Sequence, residues 1–201
     1  MKNYQDLIRR ILETGTREVN RTGTATLSVV SGELRWNMAD GIPGVTTKKL
    51  AVRPVVGEAL WFMAGSSDIK ALRKLTNIGP DDFCIWQQNL DELNARRAGS
   101  PEYDGCDDYL GYVYGPAWRN KYGAEEAVDV DQIQILINNI NAIKENPAHP
   151  SRRRLIVDTW DATVHNDSAS LDCALPPCHY GFQCFVQGDK LSLKWIQRSV
   201  N

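Results

Sequence analysis

Residues 180–186 (Tyr-Gly-Phe-Gln-Cys-Phe-Val) and 191–196 (Leu-Ser-Leu-Lys-Trp-Ile) are two short runs rich in aromatic and aliphatic side chains, with Gly188-Asp189 between them. Such runs on either side of a Gly-containing turn predict two strands joined by a tight connection. Residues that can do chemistry flank the pair. Pro176-Pro177-Cys178-His179 runs into the first strand, and Gln197-Arg198-Ser199 follows the second. Only the thiolate of a cysteine is a good nucleophile, and a neighbouring cation lowers a thiol pKa from about 8.5 toward neutrality. A thiol beside an imidazole, with a guanidinium and a hydroxyl to follow, is therefore the first candidate for a reactive centre.

The rest of the chain alternates helical and strand periodicities without an internal repeat, which predicts an α/β (α+β) fold in a single domain over residues 1–201. Tyr4, Leu7, Ile8, Ile11 and Leu12 predict a helix over about 3–14, stopped by Gly15. Residues 24–30 and 33–37 read as strands turned at Ser31-Gly32. Pro54 opens an apolar helix that ends near Gly65 and contains Glu58. Asp131 is placed to cap a helix whose Ile133, Leu136, Ile137, Ile140 and Ile143 form a core-facing stripe. Leu155, Val157 and Thr159 alternate with Ile156 and Asp158 as one face of a strand. Residues 87–112 are polar and irregular, and read as a long surface connection or insertion.

With 23 basic and 25 acidic residues among 201, the chain carries no electrostatic footprint for nucleic acid or an anionic membrane. It contains no apolar run of the roughly 20 residues needed to span a bilayer, and its first residues lack a signal-peptide core, so a cytoplasmic location is expected. The five cysteines, Cys84, Cys106, Cys173, Cys178 and Cys184, form no C-x-x-C pair. Cys173, Cys178 and His179 fall short of the four well-spaced ligands of a closed zinc site, and reduced thiols without a metal are the simpler reading.

Glu58 lies among Val56, Ala59, Leu60 and Trp61, where an ionised carboxylate must be paired or hydrogen-bonded if it is buried. It either points outward or belongs to a buried or catalytic network. The run Arg152-Arg153-Arg154 and the turn Arg21-Thr22-Gly23 are solvated surface or phosphate-binding elements. Trp86 and Trp118 fit a core or a ligand platform. A thiolate, an acid/base carboxylate and several arginines together suit one kind of reaction. Adding a thiolate at C6 of a pyrimidine nucleotide converts C5 into an enolate carbon that can attack a one-carbon electrophile.

Asn20-Arg21-Thr22-Gly23-Thr24-Ala25-Thr26-Leu27, Thr46-Thr47-Lys48-Lys49, Glu58-Ala59-Leu60-Trp61-Phe62, Tyr114-Gly115 with Trp118-Arg119, Asp131-Gln132-Ile133, the arginine run, Ala174-Leu175-Pro176-Pro177-Cys178-His179 and Gln197-Arg198-Ser199 occur in an order that resembles the thymidylate synthases. The resemblance implies a large mixed sheet flanked by helices, a homodimer, and transfer of a one-carbon unit from 5,10-methylenetetrahydrofolate to dUMP. It implies Cys178 as nucleophile and Glu58 as acid/base, with Tyr114 and His179 in one hydrogen-bonded network. Arg198 would keep the thiol ionised and join Arg21, Ser199 and Gln197 around the nucleotide. Two arginines of the partner subunit would complete the phosphate site. Counting back from Trp160 these are Arg153 and Arg154, whereas counting forward from Ser151 gives Arg152 and Arg153. The strand register favours the first count. Ile85, Trp86 and Leu175 would pack on the folate, Lys48 would meet its glutamate tail, and Asn201 stands at the position that bonds the pterin.

Several positions depart from the family pattern. Asn20 replaces an aspartate, Ala25 a glycine and Gly57 a common histidine. Trp86-Gln87-Gln88 replaces Trp-Asp and resembles phage deoxycytidylate hydroxymethylases of the same superfamily; a neutral amide at 87 or 88 would offer a place to hold a water near Trp86. The family pattern also runs on for roughly a quarter of its length past Asn201, through residues that read the base and ribose, so the chain reads as cut. Three readings stand open: methylation of dUMP, hydroxymethylation of dUMP or dCMP, and a non-catalytic remnant.

Overall fold

The computed structural model describes residues 2–19, 23–101, 103, 105, 108–122, 129–167 and 169–199. It divides into two compact units, Met1–Ala51 and Val52–Asn201.

In the first unit, helix α1 (Lys2–Thr14) leads into strand β1 (Thr16–Val19), which pairs antiparallel with β2 (Ala25–Ser28) in the register Thr16↔Ser28 and Val19↔Ala25. The helix is the one expected. The hairpin is not: the partner of β2 precedes it, and residues 33–37 form no strand. The backbone of Arg35 is taken up by the Asn3 side-chain amide, and Asn37 caps a short helical turn, Met38–Asp40, by accepting from the Ala39 N–H. A side chain that bonds local backbone competes with strand pairing.

The second unit holds the hydrophobic core. Helices α2 (Val52–Met63) and α3 (Ile69–Thr76) pack closely, because Gly57 lies against α3 where a Cβ would fall 2.8 Å from Thr76 Cγ2 and 3.2 Å from the Leu75 carbonyl carbon. The departure at Gly57 is thus a packing requirement of this chain. Asp68 caps α3 by accepting from the Lys70 N–H at 2.7 Å, and its own carbonyl accepts the Trp61 indole N–H at 2.9 Å. Residues 87–112 depart from the expected surface connection, since they contain helix α4 (Gln87–Arg97) with Leu90 and Leu93 fully buried. Two inward leucines one turn apart suffice to seat it.

Helix α5 (Tyr114–Arg119) follows, then the short ribbon of β3 (Lys121–Tyr122) and β4 (Asp129–Val130), then α6 (Gln132–Glu145), which Asp131 caps as expected at 2.9 Å to the Gln134 N–H. Strands β5 (Ile156–Asp158), β6 (His179–Gln187) and β7 (Lys190–Gln197) form an antiparallel sheet in that order, with helix α7 (Ala162–His165) between β5 and β6. Leu155, Val157 and Thr159 are buried, which is the expected face. The β6–β7 hairpin turns at Gly188, whose φ of 62° suits glycine, and Phe182 stacks on its cross-strand partner Trp195 with centroids 5.6 Å apart. The α+β class stands. Among the described residues, however, every strand pairing is antiparallel, so the expected large mixed sheet is present as two ribbons and one three-stranded sheet.

Candidate active site

The open end of the β6–β7 hairpin sets the site. His179 pairs with Gln197, a register shift intervenes before Gly181, and the Arg198 N–H donates to the Cys178 carbonyl at 2.8 Å. Cys178 and Gln197 are nineteen positions apart, and the hairpin between them folds back to bring Cys178 and Arg198 together at its open end. Arg198 donates from Nε to the Pro177 carbonyl at 3.0 Å and from Nη2 to the Pro176 carbonyl at 3.2 Å, with its guanidinium 5.6 Å from the Trp160 ring centre. It grips the turn that presents the thiol.

Cys178 is half-buried, whereas Cys84, Cys173 and Cys184 are buried. Burial pushes the Cys173 thiol up to about 11 and raises that of Cys184, so neither is poised as a nucleophile. Cys173 Sγ donates to the Leu175 carbonyl at 3.2 Å. Cys106 lies outside the described residues. The sequence nominated Cys178, and its surroundings distinguish it from the other described thiols.

Tyr114, at the start of α5, accepts the Cys178 backbone N–H on its hydroxyl oxygen at 2.9 Å and stacks on the His179 ring, with centroids 3.9 Å apart and planes 15° from parallel. Burial pushes the phenol up to about 12. Burial also pulls His179 down to about 4, leaving a neutral imidazole whose buried Nε2 has no hydrogen-bond partner among the described residues. Phe62, Trp118 and Trp195 complete the aromatic wall.

Glu58 points into this wall. Its Oε1 accepts the Trp86 indole N–H at 2.6 Å, and the Trp86 ring meets Tyr114 edge-on at 6.2 Å. Burial raises the carboxyl pKa, and the indole bond opposes part of that rise. Of the two readings open for Glu58, the paired and half-buried one holds. Trp86, expected against the folate, is buried and serves as the donor to Glu58. The two residues are 28 positions apart, and nothing in their spacing announced the bond.

The side-chain amides at 87 and 88 bond along or beside α4. Gln87 Oε1 accepts from Arg73 Nη2 at 3.0 Å, its Nε2 donates to Asp91 at 2.9 Å, and Gln88 Nε2 donates to Glu92 at 3.0 Å. Each of these amides keeps further donor or acceptor capacity beyond those bonds.

Ile85 is exposed, while Leu175 packs on the core beneath the Cys178 turn. Gln197 Nε2 donates to the Ser199 carbonyl at 2.8 Å, and both residues are exposed. Arg153 and Arg154 are exposed beside β5. Arg152 is bonded within its own chain, to the carbonyls of Pro147 at 3.0 Å and Val186 at 2.7 Å. Lys48 is exposed in the first unit. Arg21 and Asn201 lie outside the described residues. Among the described residues no cluster of histidine, cysteine and carboxylate groups is spaced to hold a metal ion, and no helix is long and apolar enough to cross a membrane.

The sequence profile of the family described as thymidylate synthase matches residues 2–201. The chain belongs to the thymidylate synthase family. It is 38% identical over 205 residues to a probable thymidylate synthase of Escherichia phage T5, an alignment that covers all of this chain and 64% of the phage protein. It is also similar to the crystal structure of thymidylate synthase from T4 phage, with a TM-score of 0.76 and 36% identity over all of this chain and 63% of that one. The chain thus spans somewhat less than two thirds of the relatives it matches. In this thymidylate synthase family member Cys178, His179, Tyr114 and Arg198 meet at one place, the mouth of the β6–β7 hairpin.

Proposed function

We propose that this chain carries the nucleophile of a folate-dependent methyltransferase that converts dUMP to dTMP. One observation carries the reading: the hairpin register sets Cys178 beside Arg198, with Tyr114 bonded to the Cys178 backbone and Glu58 held across the same aromatic wall.

In the proposed reaction the Cys178 thiolate adds to C6 of the uracil, and the electron pair released at C5 attacks the methylene of methylenetetrahydrofolate. Loss of the C5 proton and expulsion of the folate amine leave an exocyclic methylene. A hydride from the tetrahydrofolate ring reduces it, the thiolate departs, and dTMP and dihydrofolate are released. Glu58, whose carboxyl pKa is raised by burial, moves protons in the elimination. Neutral His179 offers its unpartnered Nε2 to the base or an ordered water.

Arg198 and Ser199, with Arg21 and Gln197, hold the nucleotide and its phosphate. Arg153 and Arg154 of a second copy complete that site in a homodimer. This choice is supported by Arg152 being engaged at home, and by the exposed Ile156 and Phe185 on the sheet face turned from the core. Ile85 and Leu175 pack on the folate over the Trp86–Glu58 pair, Lys48 meets its tail and Asn201 its pterin. Methylation leads hydroxymethylation because the matching family and both relatives are described as thymidylate synthases.

The test is product analysis with dUMP and methylenetetrahydrofolate, read together with covalent capture of 5-fluoro-dUMP, whose fluorine cannot leave C5 as a proton. We expect dTMP with dihydrofolate, and a captured adduct on Cys178 that survives Cys173→Ser. A 5-hydroxymethyl nucleotide with tetrahydrofolate, or an adduct that forms without Cys178, overturns the proposal.

A further inference from the structure

Helix α4 touches both halves of the site. Its N-terminal end follows Trp86, which holds Glu58, and its C-terminal end carries Arg96 and Arg97, which reach the segment leading into the Cys178 turn. Arg96 donates from Nε to the Ser170 carbonyl at 3.2 Å and from Nη2 to the Cys173 carbonyl at 3.0 Å, spanning Leu171-Asp172. Arg97 donates from Nε to the Leu171 carbonyl at 2.8 Å and from Nη1 to the Tyr109 carbonyl at 3.2 Å. Apart from the antiparallel bridge of Cys173 with Gly111, segment 170–173 has no strand pairing, and the two guanidinium forks supply donors to the carbonyls of Ser170, Leu171 and Cys173.

The opposite side of this segment is equally fixed. The Tyr112 N–H donates to the Asp172 carbonyl at 2.6 Å and the Ala174 N–H to the Leu110 carbonyl at 2.9 Å. Gly111, at φ 73°, backs the turn where a Cβ would fall 2.0 Å from the Asp172 oxygen. Residues 109–112 then continue directly to Tyr114, the partner of the Cys178 N–H. Downstream, Ala174 and Pro177 are buried and two prolines with fixed φ precede the thiol, so a shift at Cys173 is carried to Cys178 instead of being absorbed.

We propose that Arg96, seconded by Arg97, is a positioning residue for the Cys178 nucleophile, tying the carbonyls of Ser170 and Cys173 to the helix that follows Trp86, the Glu58 donor. The proposal rests on the assignment of Cys178 as nucleophile. It differs from simple stapling because it links a residue that touches no substrate to the rate of covalent attack. Misplacement of a reacting group by about 1 Å costs on the order of 10²-fold in rate.

The experiment uses the full chain as wild type, Arg96→Ala, Arg96→Lys and, as a stability-matched packing control in α6, Ile143→Val. Adduct formation with 5-fluoro-dUMP and methylenetetrahydrofolate is followed at saturating nucleotide, dUMP affinity is measured separately, and Cys178 alkylation by iodoacetamide is followed by peptide mass. We expect Arg96→Ala to slow adduct formation by about tenfold or more with dUMP affinity within about twofold, Arg96→Lys to recover part of the rate, and Ile143→Val to change neither. An unchanged rate in Arg96→Ala, or an equal loss in Ile143→Val, overturns the positioning role. If the wild type forms no adduct, the proposed function fails and alkylation alone decides. A change in the Cys178 alkylation rate of about threefold or more in Arg96→Ala, absent from Ile143→Val, then upholds the coupling, and equal rates refute it.

Discussion

Replacing Trp86 with Phe removes one donor from Glu58 and keeps an aromatic ring. The indole N–H sits 2.6 Å from Glu58 Oε1, short for an N–H···O bond, and bonds to an ionised acceptor are the shorter ones. Such a bond contributes about 1.5–3 kcal/mol when the acceptor is ionised and about 0.5–1.5 kcal/mol when it is neutral. The Glu58 pKa is raised in the folded chain, so its contribution to stability is present below the ordinary carboxylate pKa and is lost as pH rises through the folded value. The indole bond limits that loss. Trp86→Phe therefore raises the pKa further, and its cost grows with pH, by about 1 kcal/mol between pH 4.5 and pH 8 on the range of a neutral against a charged bond. With a urea slope of about 2 kcal/mol/M, the gap between wild-type and variant midpoints should widen by about 0.5 M over that range. The smaller ring also leaves a void, but its cost does not titrate. A double-mutant cycle with Glu58→Gln cancels it, and the Trp86→Phe penalty in that background should be flat with pH. His179, held down at about 4, titrates in both members of each pair and drops out of the difference. Equal midpoint gaps at both pH values would refute an ionised Glu58 bonded to Trp86.

Glu58→Gln itself should gain stability relative to wild type as pH rises and should lose turnover by roughly 10²–10⁴-fold while dUMP affinity is retained, measured by urea unfolding and steady-state kinetics. Gly57→His, which restores a residue common in the family, should destabilise by about 1–3 kcal/mol or more because its Cβ meets Thr76 and Leu75; an unchanged thermal midpoint counts against the close packing of α2 on α3. Mixing Cys178→Ser chains with Arg154→Ala chains should restore up to about one working site per heterodimer, since the nucleophile and the phosphate-binding arginines would come from different copies. Confirmed subunit exchange without recovered activity would place Arg154 outside the site.

The elements that were legible in the sequence are those whose residues signal locally. The β6–β7 hairpin was readable because two apolar runs flank Gly188-Asp189, and the buried face of β5 because Leu155, Val157 and Thr159 alternate. Asp131 announced α6 through cap chemistry. Helix α4 stayed hidden because its eleven residues bury only Leu90 and Leu93, and charged or amide side chains fill most of the remaining positions. Strand β1 stayed hidden because Thr16-Arg17-Glu18-Val19 is exposed throughout and offers no apolar alternation. The candidate nucleophile and its arginine could be named from residue type, but what holds them could not. The Trp86–Glu58 bond joins residues 28 apart and the Arg97–Leu171 bond residues 74 apart, and no periodicity reports contacts of that range.

The site's electrostatics follow from its walls. Phe62, Trp86, Trp118 and Trp195 crowd Tyr114, His179 and Glu58, and burial moves all three in the direction that favours the uncharged form: the phenol up to about 12, the imidazole down to about 4, the carboxyl above its ordinary range. Near neutral pH the phenol and imidazole stay neutral, and Glu58 is brought toward the range where it both accepts and returns a proton. Negative charge developing on a bound pyrimidine would then meet neutral hydrogen-bonding groups instead of a second fixed charge, in surroundings of low polarity where each such bond is strengthened. Arg198 supplies the positive charge at the mouth of the hairpin, held there by the Pro176 and Pro177 carbonyls. The aromatic residues contributed by α2, α5 and β7 thus also set the protonation states on which the proposed chemistry depends. A substitution in that wall should alter the pH profile of the reaction before it alters the fold.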